Sequence, residues 1–244
     1  MPSPSSPALT TASFLAHNRG GGWYSEAVSQ RVAAWVALTA HRSGISPSTI
    51  TLTGAALGIV TSVALVLLAP ATAAGPGSAA VIGLAVGLGW QFAYVLDCAD
   101  GQLARATGRT SAAGARLDIL CDVGVQISVV AALTAVTAVH TPEAPAWLFA
   151  VFAGTWMVNL VTSALAGGPA SGSLITGGGT TVRLVKLIRD YGAVIAACAL
   201  VVAIAPEWTA GIMVVLSTVN GLFLLAVTAQ AAKRALASRD RTAE

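Results

Sequence analysis

The sequence predicts an all-α integral membrane protein: six transmembrane helices preceded by an N-terminal interfacial amphipathic helix. Three observations lead there. Of 244 residues, 55% are hydrophobic and only 9% charged, and a mean hydropathy of +0.77 leaves too little polar surface to clothe a soluble globule. No charged residue lies between Arg42 and Asp97, which is room for two spans of roughly 20 residues and a turn. Finally, every Lys and Arg can be placed on one side of a six-span chain, as positive-inside topology requires.

Taken in order, residues 1–22 begin MPSPSSPALTTAS, with neither a basic nor an apolar signal region, and read as a disordered tail. Residues 23–235 form the membrane domain and 236–244 a cytoplasmic tail. From Ser25 to Arg42 apolar and polar residues recur at helical spacing, with Val28, Val32, Trp35 and Leu38 on one side, the pattern of an interfacial helix. Trp23 and Tyr24 read as its anchors. Ser46 is placed to cap the first span, with Pro47 in its first turn. Spans follow at Ser48–Leu68, Ala79–Ala99, Leu117–Val139, Ala146–Leu165, Val182–Ile204 and Thr209–Ala231, with Pro70, Gly75 and Pro76 marking the first turn. The turns near 71–78, 140–145 and 205–208 hold no Lys or Arg, so all 13 basic residues fall on the opposite side, together with both termini. Trp147 and Trp208 read as interfacial anchors. The Gly-rich stretch 166–181 is a linker, and lacks the Lys-Ser or Lys-Thr of a nucleotide P-loop.

Other classes are disfavoured. The net charge of +3 is scattered over helix ends, unlike a nucleic-acid-binding stripe. Cys98, Cys121 and Cys198 are too few for a disulfide framework and are expected as free thiols. His17, His41 and His140 do not cluster, and Asn159 and Asn220 read as interhelical hydrogen-bonding groups.

The polar residues a membrane chain should avoid are concentrated in YVLDCADGQLARATGRTSAAGARLDILCDVG, and such residues call for a function. Asp97, Asp100, Gly101 and Ala104 share one helical face, and Asp118 and Asp122 share another. A short connection lets the two faces meet at the cytoplasmic end of the bundle. Four converging carboxylates repel one another unless cations sit between them, and all-oxygen ligation suits Mg²⁺ or Mn²⁺ over zinc. Cys98 and Cys121 are expected to point off this face. Gly101 and Ala104 leave a smooth floor, and Arg105 offers a permanent cation for phosphate oxygens. Together these describe a pyrophosphate site.

On these residues the sequence resembles the CDP-alcohol phosphotransferases (class I CDP-alcohol phosphatidyltransferases), whose signature is D-x-x-D-G-x-x-A-R and then G-x-x-x-D-x-x-x-D. Asp97, Asp100, Gly101, Ala104, Arg105, Gly114, Asp118 and Asp122 meet every fixed position. The resemblance spans most of the chain, because that family is similar in having six spans after an interfacial helix. It implies metal binding by Asp97, Asp100, Asp118 and Asp122, two Mg²⁺ or Mn²⁺ ions, and Asp122 as the general base. It further implies a CDP site at Gly101, Ala104 and Arg105 with Gly114 shaping the nearby turn, nucleotide contacts from Pro47 and Thr51, and a homodimer. The implied reaction moves a substituted phosphate, from CDP-diacylglycerol, to an alcohol or polyol-phosphate acceptor with release of CMP, in phospholipid synthesis.

Alternatives remain open at this level. The donor could be a soluble CDP-alcohol such as CDP-inositol. From another class, a cation transporter would use acids along its path, although such acids are expected to spread through the bilayer depth. Arg183, Lys186 and Arg189 are either a solvated basic face or an acceptor-phosphate pocket, while Arg109 and Arg116 read as topology signals.

Overall fold

A computed structural model describes residues 9–18, 22–166 and 190–241. Among them all regular structure is helical. Helix α1 (Thr11–Leu15) is closed by a reciprocal capping box between Thr10 and Ser13. A π-helical turn, Ser25–Ser29, leads into α2 (Gln30–Arg42). There follow α3 (Pro47–Thr72), α4 (Pro76–Ala106), α5 (Ala112–His140), α6 (Ala146–Ala166), α7 (Tyr191–Ile204) and, after a single 3₁₀ turn at Pro206–Trp208, α8 (Thr209–Arg241).

Four helical stretches are long and apolar enough to cross a membrane: Pro47–Thr72, Pro76–Ala106, Ala112–His140 and Pro206–Lys233. Ala146–Val158 and Tyr191–Ile204 are shorter apolar helices. They mark the places of the fourth and fifth predicted spans. Two predicted boundaries move for identifiable reasons. Pro70 lies inside α3 and does not end it, since the helix runs on to Thr72. Helix α4 continues seven residues past Ala99 to Ala106 and stops before Gly108, whose φ of +67° suits glycine and ends the helix by a left-handed turn. Of the fifth predicted span, the described part is the helix Tyr191–Ile204, with Asp190 at its N-cap; its predicted start at Val182 lies outside the described residues.

The N-terminal expectation also changes. Residues 9–18 are not a free tail: Phe14 is fully buried, packed beside α2 and the C-terminal half of α4. In α2 the buried stripe is Ala33, Ala34, Ala37, Leu38 and Ala40, small residues that let it lie close on α4. Val28, Val32 and Trp35 face outward, Trp35 at 66% exposure. Leu38 therefore belongs to the opposite face from the other three predicted apolar residues, and the outward set is the one available to a bilayer interface.

Helix α3 is the hub, packing on both α4 and α5. Glycine makes that possible. A Cβ on Gly54 would sit 3.3 Å from the Ala93 carbonyl oxygen, and one on Gly58 3.0 Å from Val125; the pair stands at the small-xxx-small spacing of close membrane helices. Ser46 caps α3 as predicted, its hydroxyl accepting from the Thr49 amide at 3.2 Å. The main core gathers Leu65, Trp90, Val129, Leu133, Phe152 and Ile195, and the Trp90 indole donates to Ser62 at 2.9 Å.

Helices α4 and α7 approach closely, since a Cβ on Gly83 would lie 2.4 Å from the Ala203 backbone nitrogen. Backbone cannot yield as a side-chain tip can. Gly83→Val is therefore expected to force α4 and α7 apart and cost about 1–3 kcal/mol, read as a lower thermal unfolding midpoint in detergent, whereas Gly77→Ala, where a Cβ meets nothing within 4 Å, leaves the midpoint near wild type.

Candidate metal and phosphate site

The acidic segments come from the C-terminal end of α4 and the N-terminal end of α5, joined by residues 107–111. Ser111 opens α5, its hydroxyl accepting from the Gly114 amide at 3.0 Å. Gly114 thus lies in the first helical turn, and the positive φ of the connection belongs to Gly108.

Carboxylate oxygens of Asp97, Asp100 and Asp118 all lie within 4.8 Å of one another. The fourth acid, Asp122, stands beside this trio with its carboxyl against that of Asp97. Asp100 is only 5% exposed and receives a hydrogen bond from the Thr51 hydroxyl of α3. That hydroxyl also lies 3.1 Å from the Pro47 carbonyl, and its single proton serves both acceptors. Thr51, expected as a nucleotide contact, accordingly first orients a carboxylate.

The donor set fits a hard divalent cation. Three carboxylates gather at one point, and Oδ1 of Asp118 is buried without a hydrogen-bond partner, an expensive state for a charged oxygen unless a cation meets it. Oxygen-only ligation of this kind suits Mg²⁺ or Mn²⁺.

Arg105, about two turns along from Asp97 on α4, lies across Gly101: a Cβ there would stand 2.8 Å from one terminal guanidinium nitrogen. The same charge acts on the Asp118 carboxylate. Its Nε donates to the His17 carbonyl at 2.7 Å. Beside it, the fully buried Gln102 donates to Asn18 Oδ1 at 2.7 Å and to the Gln30 carbonyl at 3.0 Å.

Behind the acids a cavity of about 230 Å³ runs into the bundle. Asp97, Asp122 and Thr51 line it, with Trp90, Tyr94, Trp156, Tyr191, Gln126 and Asn220 among the rest of the wall. Cys121 lines it too, contrary to the expectation that it points away. The three cysteines are free thiols, as predicted. Arg109 and Arg116 are exposed; Arg183, Lys186, Arg189 and the Asn159 side chain lie outside the described residues.

A second polar cluster escaped the sequence reading. Asp190, 3% exposed, accepts from the Ser25 amide at 2.8 Å and from the Ser25 hydroxyl. With its proton so committed, Ser25 Oγ accepts from Tyr94, 2.8 Å away. Tyr94 meets Tyr191 edge to face at 5.3 Å. Tyr24 donates to Gln91 at 3.2 Å, and burial, with the Asp190 charge nearby, pushes its phenol above its ordinary pKa, so it remains a neutral donor. Gly22 and Gly192 admit this arrangement, since a Cβ on either would collide with Asp190 or Tyr94. The signal available in sequence was an acid inside a predicted span.

The profile of the CDP-alcohol phosphatidyltransferase family matches residues 44–232, and the chain belongs to that family. Comparison with curated proteins gives no match. The family is one of transferases that use divalent metal ions and a CDP-alcohol donor.

Removing the Thr51 hydroxyl should loosen the acids without emptying the site. Thr51→Val is expected to weaken Mn²⁺ binding, followed by electron paramagnetic resonance titration, by about 10–100-fold, as loss of a ligand-orienting partner does.

Proposed function

We propose that the protein transfers a substituted phosphate from a CDP-activated donor, CDP-diacylglycerol, to the hydroxyl of an alcohol or polyol-phosphate acceptor, releasing CMP, as a step of phospholipid synthesis. The observation that carries this reading is the trio Asp97, Asp100 and Asp118 within 4.8 Å, set beside an arginine lying over a side-chain-free floor at Gly101. Family membership supplies the CDP-alcohol class of the donor; the lipid donor and the acceptor class are our reading.

Asp97, Asp100 and Asp118 would hold the first cation, and Asp122, touching Asp97, would share a second. A divalent cation held by these carboxylates would supply positive charge to offset that of the donor's pyrophosphate. Arg105 binds phosphate oxygens and, with Gly101 and Ala104, lays the nucleotide end of the donor along α4. Asp122, which lines the cavity, takes the proton from the acceptor hydroxyl, whose oxygen forms the new bond to the phosphorus distal to cytidine. CMP leaves with the electron pair of the broken P–O bond, and no covalent enzyme intermediate is required. Arg183, Lys186 and Arg189 are the proposed source of an acceptor-phosphate pocket, Pro47 a neighbour of the nucleotide, and Gly114 part of the turn beside it. Six spans in a cell membrane, with both termini and the site on the cytoplasmic side, and a homodimeric assembly complete the proposal.

The gathering of the acids at one end of α4 and α5 favours a transferase over an acid-lined permeation path, which needs charge through the membrane depth.

The test is CMP release by the purified protein in detergent with Mg²⁺ or Mn²⁺ and CDP-diacylglycerol, screened against glycerol phosphate, inositol phosphate, inositol, serine and a lipid acceptor. Acceptor-dependent CMP is expected, abolished by EDTA and lowered about 100-fold or more by Asp122→Asn, the scale of general-base loss. CMP formed only from soluble CDP-alcohols, such as CDP-inositol, would replace the lipid donor; none from either would sink the transferase reading.

A further inference from the structure

Residues 9–18 end against α4, at Gln102 and at Arg105, the side chain that lies over Gly101. Phe14 is the anchor. It is fully buried among Ala33, Ala37, Ala99 and Leu103, with its ring 6.0 Å from that of His41. Three residues further on, two consecutive residues are gripped by α4: the His17 carbonyl accepts from Arg105 Nε at 2.7 Å, and Asn18 Oδ1 accepts from Gln102 Nε2 at 2.7 Å. Gln102 and Arg105 stand i, i+3 on α4 and so face the same way. His17 is itself tied back to the short helix, its Nδ1 lying 2.8 Å from the Ser13 carbonyl.

From this we infer that residues 9–18 form a strap that positions Arg105 for phosphate, with Phe14 and Asn18 as positioning residues acting through the His17 carbonyl. The inference rests on the donor reading above. An arginine carries five N–H donors in a rigid fork; engaging Nε fixes the plane of that fork and the direction of its terminal nitrogens. The direction chosen is across Gly101 and toward Asp118, where the pyrophosphate of a metal-bound donor would lie. A long side chain ordered before the ligand arrives loses less freedom on binding. The strap also explains why the polar Gln102 is placed in the core at no exposure: it ties Asn18 and the Gln30 carbonyl of α2 to one point on α4.

The experiment is isothermal titration of CDP, in Mg²⁺, into the full-length protein in detergent, with CMP-release kinetics alongside. Phe14→Ala and, without touching the core, Asn18→Ala are expected to weaken CDP binding and raise KM for CDP-diacylglycerol by roughly two- to tenfold, the worth of one hydrogen bond, while kcat stays within a factor of two. Phe14→Leu restores binding. In an Arg105→Ala background, Phe14→Ala adds no further loss, because the two act through one interaction. Unchanged CDP affinity in both single variants, or an equal further loss in the Arg105→Ala background, overturns the strap while leaving the transferase reading intact. A wild type that neither binds CDP nor releases CMP overturns the donor reading, and the strap with it.

Discussion

Everything at this site depends on holding like charges together at the end of an apolar bundle. Two carboxylates less than 4.8 Å apart repel by about 3 kcal/mol even at an effective dielectric near 20, and the trio contains three such pairs. No single hydrogen bond, at about 1 kcal/mol net, offsets that. The helices must therefore be clamped by packing, and the remaining charge must be met by cations. Helix α3 provides the clamp. Gly54 and Gly58 let α4 and α5 close on it, and Thr51, on the same stretch of helix, reaches the most buried acid. The seam that holds the bundle together is thus also the seam that assembles the acids.

Helix α4 is longer than one bilayer core. Helix α4 has 31 residues, about 46 Å at 1.5 Å each, against roughly 30 Å of hydrocarbon. Counted from Pro76, one hydrocarbon thickness ends close to Asp97, so the last turns of the helix, with Arg105, exceed the length that a bilayer core requires. Helix α5 enters from the same end, with Asp118 and Asp122 in its first turns. A charged donor with apolar chains would meet both its environments at this level.

Much of this was legible in the sequence, and the division between what was and was not follows physical lines. Uninterrupted apolar runs mark membrane helices because the bilayer forbids unpaired backbone, and helical spacing put Asp97 with Asp100 and Asp118 with Asp122 without further information. The Ser46 cap was readable because capping is local. What pattern could not supply was tertiary partnership. The hydroxyl of Thr51 belongs to Asp100, Ser25 belongs to Asp190 165 residues away, and the tail-like composition of residues 9–18 concealed one large apolar residue, Phe14, with a pocket to fill. Leu38 was misassigned for a related reason: in α2 the buried face is made of alanines, and periodicity weighted by large residues finds the outward face instead.

The two polar links from the N-terminal segment share a logic. One joins His17 and Asn18 to the last turns of α4, the other joins Ser25 to the start of α7 through Asp190. Each gives a buried polar or charged side chain a partner from a segment outside the predicted spans; the first acts beside Arg105, which lies over Gly101, and the second beside Tyr94 and Tyr191, which line the cavity. A buried carboxylate such as Asp190 is tolerable only while its partners stay in place. Because the hydroxyl it holds is the one that Tyr94 donates to, displacing Ser25 would free a cavity wall and strand a charge at once. Stability and site geometry are coupled there through the same hydrogen bonds.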